Sequence, residues 1–248
     1  MIVLKSRREI EKMRAAGAIV AQILKILSDS VAEGVATEEL DSIAEKETLK
    51  RKAKPAFKGY SGYPHSLCCS INEQVVHGMP SSRKLKSGDI LSIDFGVLYD
   101  GFYADAAVTL PVGKISYGAQ KLIDVTRDSL LSAIKFAQPG RRLSDISHAV
   151  QSYAESNGFS VVRDFVGHGI GTRLHESPQI PNYGSPGKGL VLKPGMVLAI
   201  EPMINQKGFG VKVLDDGWTA ITVDGGLSAH FEHTVVVCEG EPEILTKC

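Results

Sequence analysis

Residues 85–94 read LKSGDILSID, and residues 192–201 read LKPGMVLAIE. Five of the ten positions are identical, and both segments end in a carboxylate, at an offset of 107 residues (201 − 94). Gly34 and Gly140 lie 106 residues apart, and each precedes a stretch with helical periodicity. Chance is the alternative, because LKxG before a strand is common turn chemistry. Two features at almost one offset favour an internal duplication.

Helices are predicted in front of each copy of the repeat. Ser6 and Glu9 have the spacing of a capping box, and apolar residues then recur at the helical period through Leu27. Further helices are predicted to begin near Thr37, Gln120 and Ser144. Two helices followed by strands therefore occur twice, which predicts an α/β (α+β) fold.

The repeat predicts one domain over residues 1–248, made of two halves at roughly 1–112 and 113–248. The halves are expected to close into one pseudo-twofold unit around a shared central sheet of antiparallel type. The helices are expected to pack on the outside of that sheet. With 43% apolar residues, a chain of 248 residues can form a sizeable core.

The composition excludes several classes of protein. Lys and Arg together number 28 and balance 28 Asp and Glu, which argues against nucleic-acid binding through long-range phosphate attraction. No apolar run approaches membrane-spanning length, and the N-terminal stretch lacks the apolar core of a signal peptide. The cysteines are Cys68, Cys69, Cys238 and Cys248, a spacing of neither a disulfide framework nor a zinc ribbon. We therefore expect a soluble cytoplasmic protein.

Two aspartates lie in apolar segments that have the character of neighbouring strands. Residues 90–96 and 102–108 are these segments, and residues 98–101 are predicted to form a four-residue hairpin loop. In that register Asp94 faces Asp105, with Cβ atoms about 4.5–5.5 Å apart. Like charges so placed repel, and burial costs each of them several kcal/mol, to order of magnitude. A bound cation removes both problems.

The second half repeats this unusual placement of acids. Glu201 follows the apolar run 197–200, and Glu232 precedes the run 234–237. The Asp- and Gly-rich turns between the two glutamates predict a meander of strands. A lone carboxylate at a strand end usually faces water, but four on apolar strands exceed what a structural core tolerates.

One imidazole completes the candidate set. His168 stands between glycines in VGHGIG, which predicts a loop whose backbone can approach a ligand closely. A phosphate-binding loop is the alternative, but no helix pattern follows. A lone histidine is more often structural, so the argument for His168 depends on the four acids.

The combined set of donors predicts a pair of metal ions. Four carboxylates and one imidazole are too many for one zinc ion with three ligands, and they suit two divalent ions that share carboxylates. Oxygen donors with one nitrogen favour manganese, iron or cobalt, and zinc is also compatible. Such a pair activates water and polarises a carbonyl at neutral pH, which predicts hydrolysis of an amide or ester.

Five motifs resemble the metal-binding motifs of the pita-bread metallopeptidases, in the order of that family. They are SIDFG with Asp94, YADAAVT with Asp105, VGHGIG with His168, AIEPM with Glu201 and HFEHTVVV with Glu232. The resemblance spans nearly the whole chain and implies a pita-bread fold. It also implies that these five residues bind two divalent ions, of cobalt, manganese, iron or zinc.

Within that family the sequence resembles the type I methionine aminopeptidases of the short bacterial form. Only 93 residues precede Asp94, without a Cys/His-rich extension, whereas aminopeptidase P, prolidase and creatinase carry an extra N-terminal domain. Residues 59–80, GYSGYPHSLCCSINEQVVHGMP, are distinctly similar to methionine aminopeptidases. Only 32 residues separate His168 from Glu201, so the insertion of type II members is absent.

The resemblance also implies roles for individual residues. Glu201 is expected to be the general base, His77 to lie near the scissile bond and His175 to hydrogen-bond the substrate carbonyl. The methionine pocket is expected to be lined by Tyr60, Tyr63, Cys68 and Trp218, whereas Phe57 and Leu174 differ from some bacterial members. A monovalent cation near Asn72 and Ser228 is a further implication. His230 and His233 flank Glu232 and are given no role, and the run 178–189 is expected to form a surface loop near the site.

The implied activity is removal of the N-terminal methionine from nascent polypeptides, at the ribosome. The protein is expected to be a monomer that binds neither membranes nor nucleic acid. An X-Pro aminopeptidase of the same fold is the first alternative. The second is a pita-bread protein that has lost catalysis and binds RNA or protein partners. Such proteins lose metal ligands, whereas all five motifs and both histidines are present here.

Overall fold

Two pairs of α-helices flank the strands of this computed structural model. It describes residues 2–247, so Cys248 lies outside the described residues. The helices are α1 (Arg7–Ser30), α2 (Thr37–Lys50), α3 (Tyr117–Ile134) and α4 (Leu143–Ser156). Ser6 Oγ accepts a hydrogen bond from the Glu9 amide, and the Glu9 carboxylate accepts one from the Ser6 amide. The predicted capping box is confirmed, and each later helix begins at or near its predicted start.

The strands build one large sheet and two small ones, and a 3-10 turn lies at Tyr60–Gly62. The strands are β1 (Lys54–Pro55), β2 (Leu67–Ile71), β3 (Gln74–Val76), β4 (Ile90–Tyr99), β5 (Phe102–Pro111), β6 (Ser160–Val161), β7 (Gly167–Gly169), β8 (Glu176–Ile180), β9 (Val197–Ile200), β10 (Met203–Asn205), β11 (Val211–Val213), β12 (Ala220–Thr222), β13 (Ser228–His230), β14 (Glu232–Val236) and β15 (Glu243–Ile244). The large sheet has nine strands in the order β1-β4-β5-β14-β9-β7-β8, with β2 beside β4 and β15 beside β14. Every pair in it is antiparallel, as predicted.

Both copies of the repeat make the same backbone contacts. Gly34, with a φ of 87°, donates its amide to the Leu85 carbonyl at 2.8 Å, and Gly140, with a φ of 82°, donates to Leu192 at 3.1 Å. These left-handed conformations favour glycine at both positions. Isolated bridges join Ala36 to Lys84 and Arg142 to Val191. The internal duplication therefore extends to individual hydrogen bonds.

The β4–β5 hairpin has a shorter loop than the predicted one at residues 98–101. Tyr99 opposes Phe102, so only Asp100 and Gly101 form the loop, with φ values of 46° and 82°. Two left-handed residues in succession match the right-handed twist of the strands they join, and an Asp-Gly pair tolerates that conformation. The predicted four-residue loop is therefore wrong.

The shorter loop changes the register by two residues. Asp94 opposes Ala107 rather than Asp105, which opposes Gly96 instead. Because side chains alternate with a period of two, Asp94 and Asp105 still point to the same face and are diagonal neighbours. The two acids therefore share one face of the sheet, although the predicted direct pairing is wrong.

Alternation along the strands separates the helix-facing core from the acids. Ile93 and Phe95 are fully buried in a cluster to which α1 and α2 contribute, while Asp94 between them points to the other face. In the second half, Leu198 and Val235 pack in a cluster with α3 and α4. The helices therefore cover one face of the large sheet. Over residues 2–247, none of them has the length and apolar character needed to cross a membrane.

The second half is not the predicted meander. Strand β9 pairs with β14, β10 with β13, and β11 with β12, so three strand pairs nest within one another. The turn-forming residues mark where the chain reverses but do not determine which distant strands pair. Nesting brings β12 beside β3 of the first half, in a separate three-stranded sheet.

Candidate active site

Five neighbouring strands each position one candidate metal ligand. In the sheet order β4-β5-β14-β9-β7 the residues are Asp94, Asp105, Glu232, Glu201 and His168, with Glu201 directly after the end of β9. All five line one cavity of about 370 Å³. The structure thus brings together every residue that the five motifs single out.

His168 lies in strand β7 rather than in the predicted glycine-rich loop. A Cβ on Gly167 would overlap the carbonyl oxygen of Ala199, and one on Gly169 would overlap that of Ser177, so the neighbouring backbone requires both glycines. The Nδ1 of His168 lies 2.9 Å from the Gly169 carbonyl oxygen and is assigned as the donor. Its Nε2 is then an acceptor and is free to bind a cation.

The ligand atoms converge closely. His168 Nε2 lies 3.6 Å from Asp105 Oδ2 and 3.6 Å from Glu201 Oε1. One ligand atom each from Asp105, His168 and Glu232 lie within 4.8 Å of one another. Asp94 Oδ1 is inaccessible and has no hydrogen-bond partner among the described residues. Since buried polar atoms are normally partnered, an unpartnered carboxylate oxygen beside other acids fits a bound cation.

Burial raises the pKa of all four carboxyl groups. It raises the pKa of Asp94 and of Asp105 to about 7, and that of Glu201 to about 8. Burial and the three neighbouring carboxylates raise the pKa of Glu232 well above its usual range. A divalent ion favours the charged forms again, because opposite charge close to an acid lowers its pKa. Carboxylate oxygens with one imidazole nitrogen therefore fit divalent metals.

His230 lies beside the acids, a position that is not apparent from the sequence. It is buried, its Nε2 is 3.5 Å from Glu201 Oε2, and this nitrogen has no hydrogen-bond partner within residues 2–247. Burial lowers the pKa of His230, so the ring is neutral at neutral pH. The only signal in the sequence is its place two residues before Glu232, which strand alternation explains equally well.

Two other histidines at the cavity are also neutral. Loss of solvation inside the cavity is the main reason that the pKa values of His77 and His175 fall to about 4, although His175 keeps part of its surface exposed at the cavity mouth. His175 Nδ1 lies 2.7 Å from the Tyr60 hydroxyl, and its ring meets that of His168 edge to face with centroids 4.3 Å apart. Tyr60 therefore contacts a histidine as well as lining the cavity.

The side chains expected in the methionine pocket line the same cavity. Tyr63 and Trp218 meet edge to face with ring centroids 5.0 Å apart, and the His77 ring lies 6.4 Å from that of Trp218. Cys68 opposes Asp94 across β2 and β4, and burial raises the pKa of its thiol, which stays neutral. Other lining residues include Phe57 and Leu174, and also Val76, Phe165 and Met203, which carry no signal in the sequence.

The run at residues 178–189 is a mostly exposed loop from residue 183 onward, as predicted, but it begins within a strand and contains the buried Asn182. The Nδ2 of Asn182 donates to the Glu201 backbone carbonyl at 2.9 Å. The first residues of the run belong to β8, which pairs with β7 at the edge of the large sheet. The Pro- and Gly-rich composition indicated a loop, but this contact fixes the backbone at Glu201.

Comparisons with known proteins identify close relatives along the whole chain. The sequence profile of metallopeptidase family M24 matches residues 11–239. The methionine aminopeptidase of Clostridium perfringens is 55% identical over 246 residues, which cover 99% of this chain and 99% of the relative. Methionine aminopeptidase 1 of Bacillus subtilis is 53% identical over 247 residues, which cover 100% of each chain.

A solved structure has the same fold. The crystal structure of the methionine aminopeptidase from Thermotoga maritima matches with a TM-score of 0.98 and 50% sequence identity, over 100% of both chains. The predicted pita-bread fold is confirmed by this match. The profile match and the full-length identity confirm the predicted family as well, and the chain belongs to metallopeptidase family M24.

Proposed function

We propose that the chain hydrolyses the first peptide bond of polypeptides and releases N-terminal methionine. One observation carries the proposal: five candidate ligands from five adjacent strands line a cavity together with aromatic and thiol side chains. A thioether packs well against aromatic rings and sulfur, so this cavity suits a methionine side chain. Relatives named methionine aminopeptidase, 50–55% identical over their full length, support the same activity.

The proposed cofactor is a pair of divalent ions. Asp105 and Glu232 would serve both ions, Asp94 would add to the ligands of one, and His168 and Glu201 would add to those of the other. The unpartnered Asp94 oxygen and the raised carboxyl pKa values support a cation here. Cobalt, manganese, iron and zinc all accept this donor set. Bound ions of this kind supply Lewis-acid polarisation of a carbonyl and acidify water at neutral pH.

The protein side chains have separate roles in the proposed reaction. Glu201 accepts a proton from the attacking water, whose oxygen bonds to the carbonyl carbon as the C–N bond breaks and the amine leaves with a proton. With the Tyr60 hydroxyl assigned as the donor to Nδ1 of the neutral His175, Nε2 carries the proton and would donate to the carbonyl oxygen. Charge grows on that oxygen in the transition state, where a donor helps most. His77 contacts the nitrogen of the breaking bond.

Specificity is proposed to reside in the aromatic part of the cavity. Methionine would lie against Tyr60, Tyr63, Cys68 and Trp218, with His77 and His175 at the scissile bond. Substrates are expected to need a free amine. A small second residue such as alanine, glycine or serine is expected, because a bulky one would meet the rim of the pocket.

Further properties complete the proposal. We propose one catalytic domain over residues 1–248 with halves at 1–112 and 113–248, acting in the cytoplasm as a monomer on nascent polypeptides at the ribosome. A monovalent cation is proposed near Asn72 and Ser228, where the Ser228 amide donates to the Asn72 carbonyl at 2.9 Å. No nucleic-acid partner is expected from the balanced charge.

Metal content and peptide turnover test the proposed function. The purified protein is expected to bind two divalent ions per chain and to release methionine from Met-Ala-Ser much faster than it cleaves Ala-Pro-Ala. Faster cleavage of Ala-Pro-Ala would favour the X-Pro aminopeptidase, and metal-free protein without turnover of either peptide would favour a binding protein. Equal cleavage of acetylated Met-Ala-Ser would contradict an aminopeptidase.

A further inference from the structure

The N-terminal segment reaches the chain beside His175 through a buried ion pair. Lys5 Nζ lies 2.6 Å from Glu176 Oε2, and the two side chains are 3% and 6% exposed. Replacing a buried ion pair by well-packed apolar side chains is often neutral or stabilising, so stability alone explains such a pair poorly. Neither residue has a role in the proposed chemistry.

Glu176 organises the turn that precedes it. Its Oε1 accepts hydrogen bonds from the Arg173 amide at 3.2 Å and from the Thr172 hydroxyl at 3.3 Å. The Gly171 amide donates to the Arg173 carbonyl at 3.1 Å, and a Cβ on Gly171 would lie only 2.6 Å from Lys5 Nζ. Residues 171–176 therefore close into a turn against the Lys5 ammonium, and the two carboxylate oxygens of Glu176 hold both partners.

The ion pair is anchored at both ends and lies one residue from the proposed oxyanion donor. The Lys5 amide donates to the Gly195 carbonyl at 2.7 Å, which fixes the backbone from which the ammonium extends. Glu176 directly follows His175, and the His175 ring contacts His168 with centroids 4.3 Å apart. A displacement of Glu176 would therefore move His175 relative to the candidate ligands.

We infer that Lys5 and Glu176 are positioning residues, which set the placement of the His175 ring through the turn at residues 171–176. The inference rests on the proposed function, in which His175 donates to the carbonyl oxygen. Neither Lys5 nor Glu176 lines the cavity, so the effect passes through His175. Misplacement of a catalytic group by about 1 Å can lower a rate about 100-fold, so a small shift of the turn matters.

A double-mutant cycle with His175 tests the inference. Lys5→Met keeps an unbranched side chain, one heavy atom shorter, and removes its charge, and it is expected to lower kcat for Met-Ala-Ser about 10- to 100-fold, with KM changed less than about threefold. In the His175→Ala background the same change is expected to lower kcat less than about threefold, because the group being positioned is gone. Glu176→Gln is expected to show the same pattern and serves if Lys5→Met does not fold.

Arg14→Met is the matched control. Arg14 also joins the N-terminal helix to the second half, through an ion pair with Glu243 at 2.6 Å, and neither residue lines the cavity. In metal-free protein, amide hydrogen exchange over residues 171–176 is expected to rise at least about tenfold in Lys5→Met and to stay unchanged in Arg14→Met.

Two results would overturn the inference. One is an equal loss of kcat from Lys5→Met in both backgrounds, and the other is unchanged exchange over residues 171–176. A failure of the proposed function is distinguishable, since it would appear as wild-type protein that releases no methionine or as His175→Ala with unchanged kcat. The exchange measurement needs neither activity nor metal and would still report on the turn.

Discussion

Replacing Asp94 by asparagine tests whether the acid cluster is built to hold a cation. Without metal, the wild-type protein places the inaccessible, unpartnered Asp94 Oδ1 in one cavity with three other carboxyl groups. Asp94 and Asp105 are diagonal neighbours across β4 and β5, a relation that separates residues by about 7–8 Å. Two unit charges at that distance repel by about 2 kcal/mol at an effective dielectric constant of about 20.

Asp94→Asn should therefore stabilise the metal-free protein. About 1 kcal/mol moves the Tm of a domain of this size by about 2–4 °C, so the expected rise is about 4–8 °C. Manganese at about 1,000 times its Kd is expected to stabilise the wild type by about 4 kcal/mol. The variant lacks one ligand and gains far less, so the order of the two Tm values should reverse when metal is added.

Calorimetric melting of chelator-treated and manganese-loaded protein measures both effects. Asp29→Asn is the control, because Asp29 is an exposed aspartate on α1 that pairs only with Lys25 among the described residues. A metal-free Tm for Asp94→Asn that falls below the wild type by more than the control does would refute the reasoning. It would mean that the fold itself stabilises the Asp94 carboxylate.

Three further changes have defined outcomes. His175→Ala is expected to lower kcat for Met-Ala-Ser by about 10²–10³, the usual loss for one oxyanion donor, with a smaller change in KM. Unchanged kcat at normal metal content would contradict the role of His175 as that donor. Gly17→Ala is expected to cost about 1–3 kcal/mol in urea unfolding, because its Cβ would overlap the backbone that follows β15. Gly118→Ala in α3 meets no such contact and is expected to gain up to about 1 kcal/mol, so equal shifts would refute the packing argument. Burial alone would raise the pKa of Glu176. The hydrogen bond from Lys5 and the other hydrogen bonds to the carboxylate outweigh burial, so the pKa lies below its usual value. A lowered carboxyl pKa contributes stability above the ordinary pKa and loses it as pH falls through the folded pKa. The Tm difference between the wild type and Lys5→Met should therefore be complete near pH 7 and shrink as the pH falls below the ordinary carboxyl pKa of about 4, and a gap that widens as the pH falls would contradict this sign.

Local signals predicted the helices well and the strand pairing less well. Ser6 and Glu9 specify the start of α1 within four residues, so no distant contact is needed. The hairpin at Asp100 and Gly101 also carries a local signal, the Asp-Gly pair, but the choice between loop lengths depends on backbone conformation at both residues. The nested pairs of the second half depend on contacts between distant segments, which turn composition does not encode.

The candidate site also contains residues that local sequence signals reveal and residues that only distant contacts bring into place. Carboxylates on apolar strands are detectable because each is improbable in a core, and a shift of register by two residues leaves Asp94 and Asp105 on one face. His230 and Asn182 are not detectable in this way. Each lies beside Glu201 only in the folded chain, because Glu201 is 29 and 19 residues away in the sequence (230 − 201 and 201 − 182).

Strand β14 joins the two halves of the large sheet, and its place in the chain sets the order in which the centre can assemble. It pairs with β5 on one side, where Glu232 opposes Ala107, and with β9 on the other. These pairings span 125 residues on one side (232 − 107), and such distant contacts form late because chain entropy must be lost first. During synthesis the β4–β5 hairpin can form early, but β5 has no neighbour on its second edge until residue 232 has left the ribosome. The candidate catalytic centre is therefore a late product of translation.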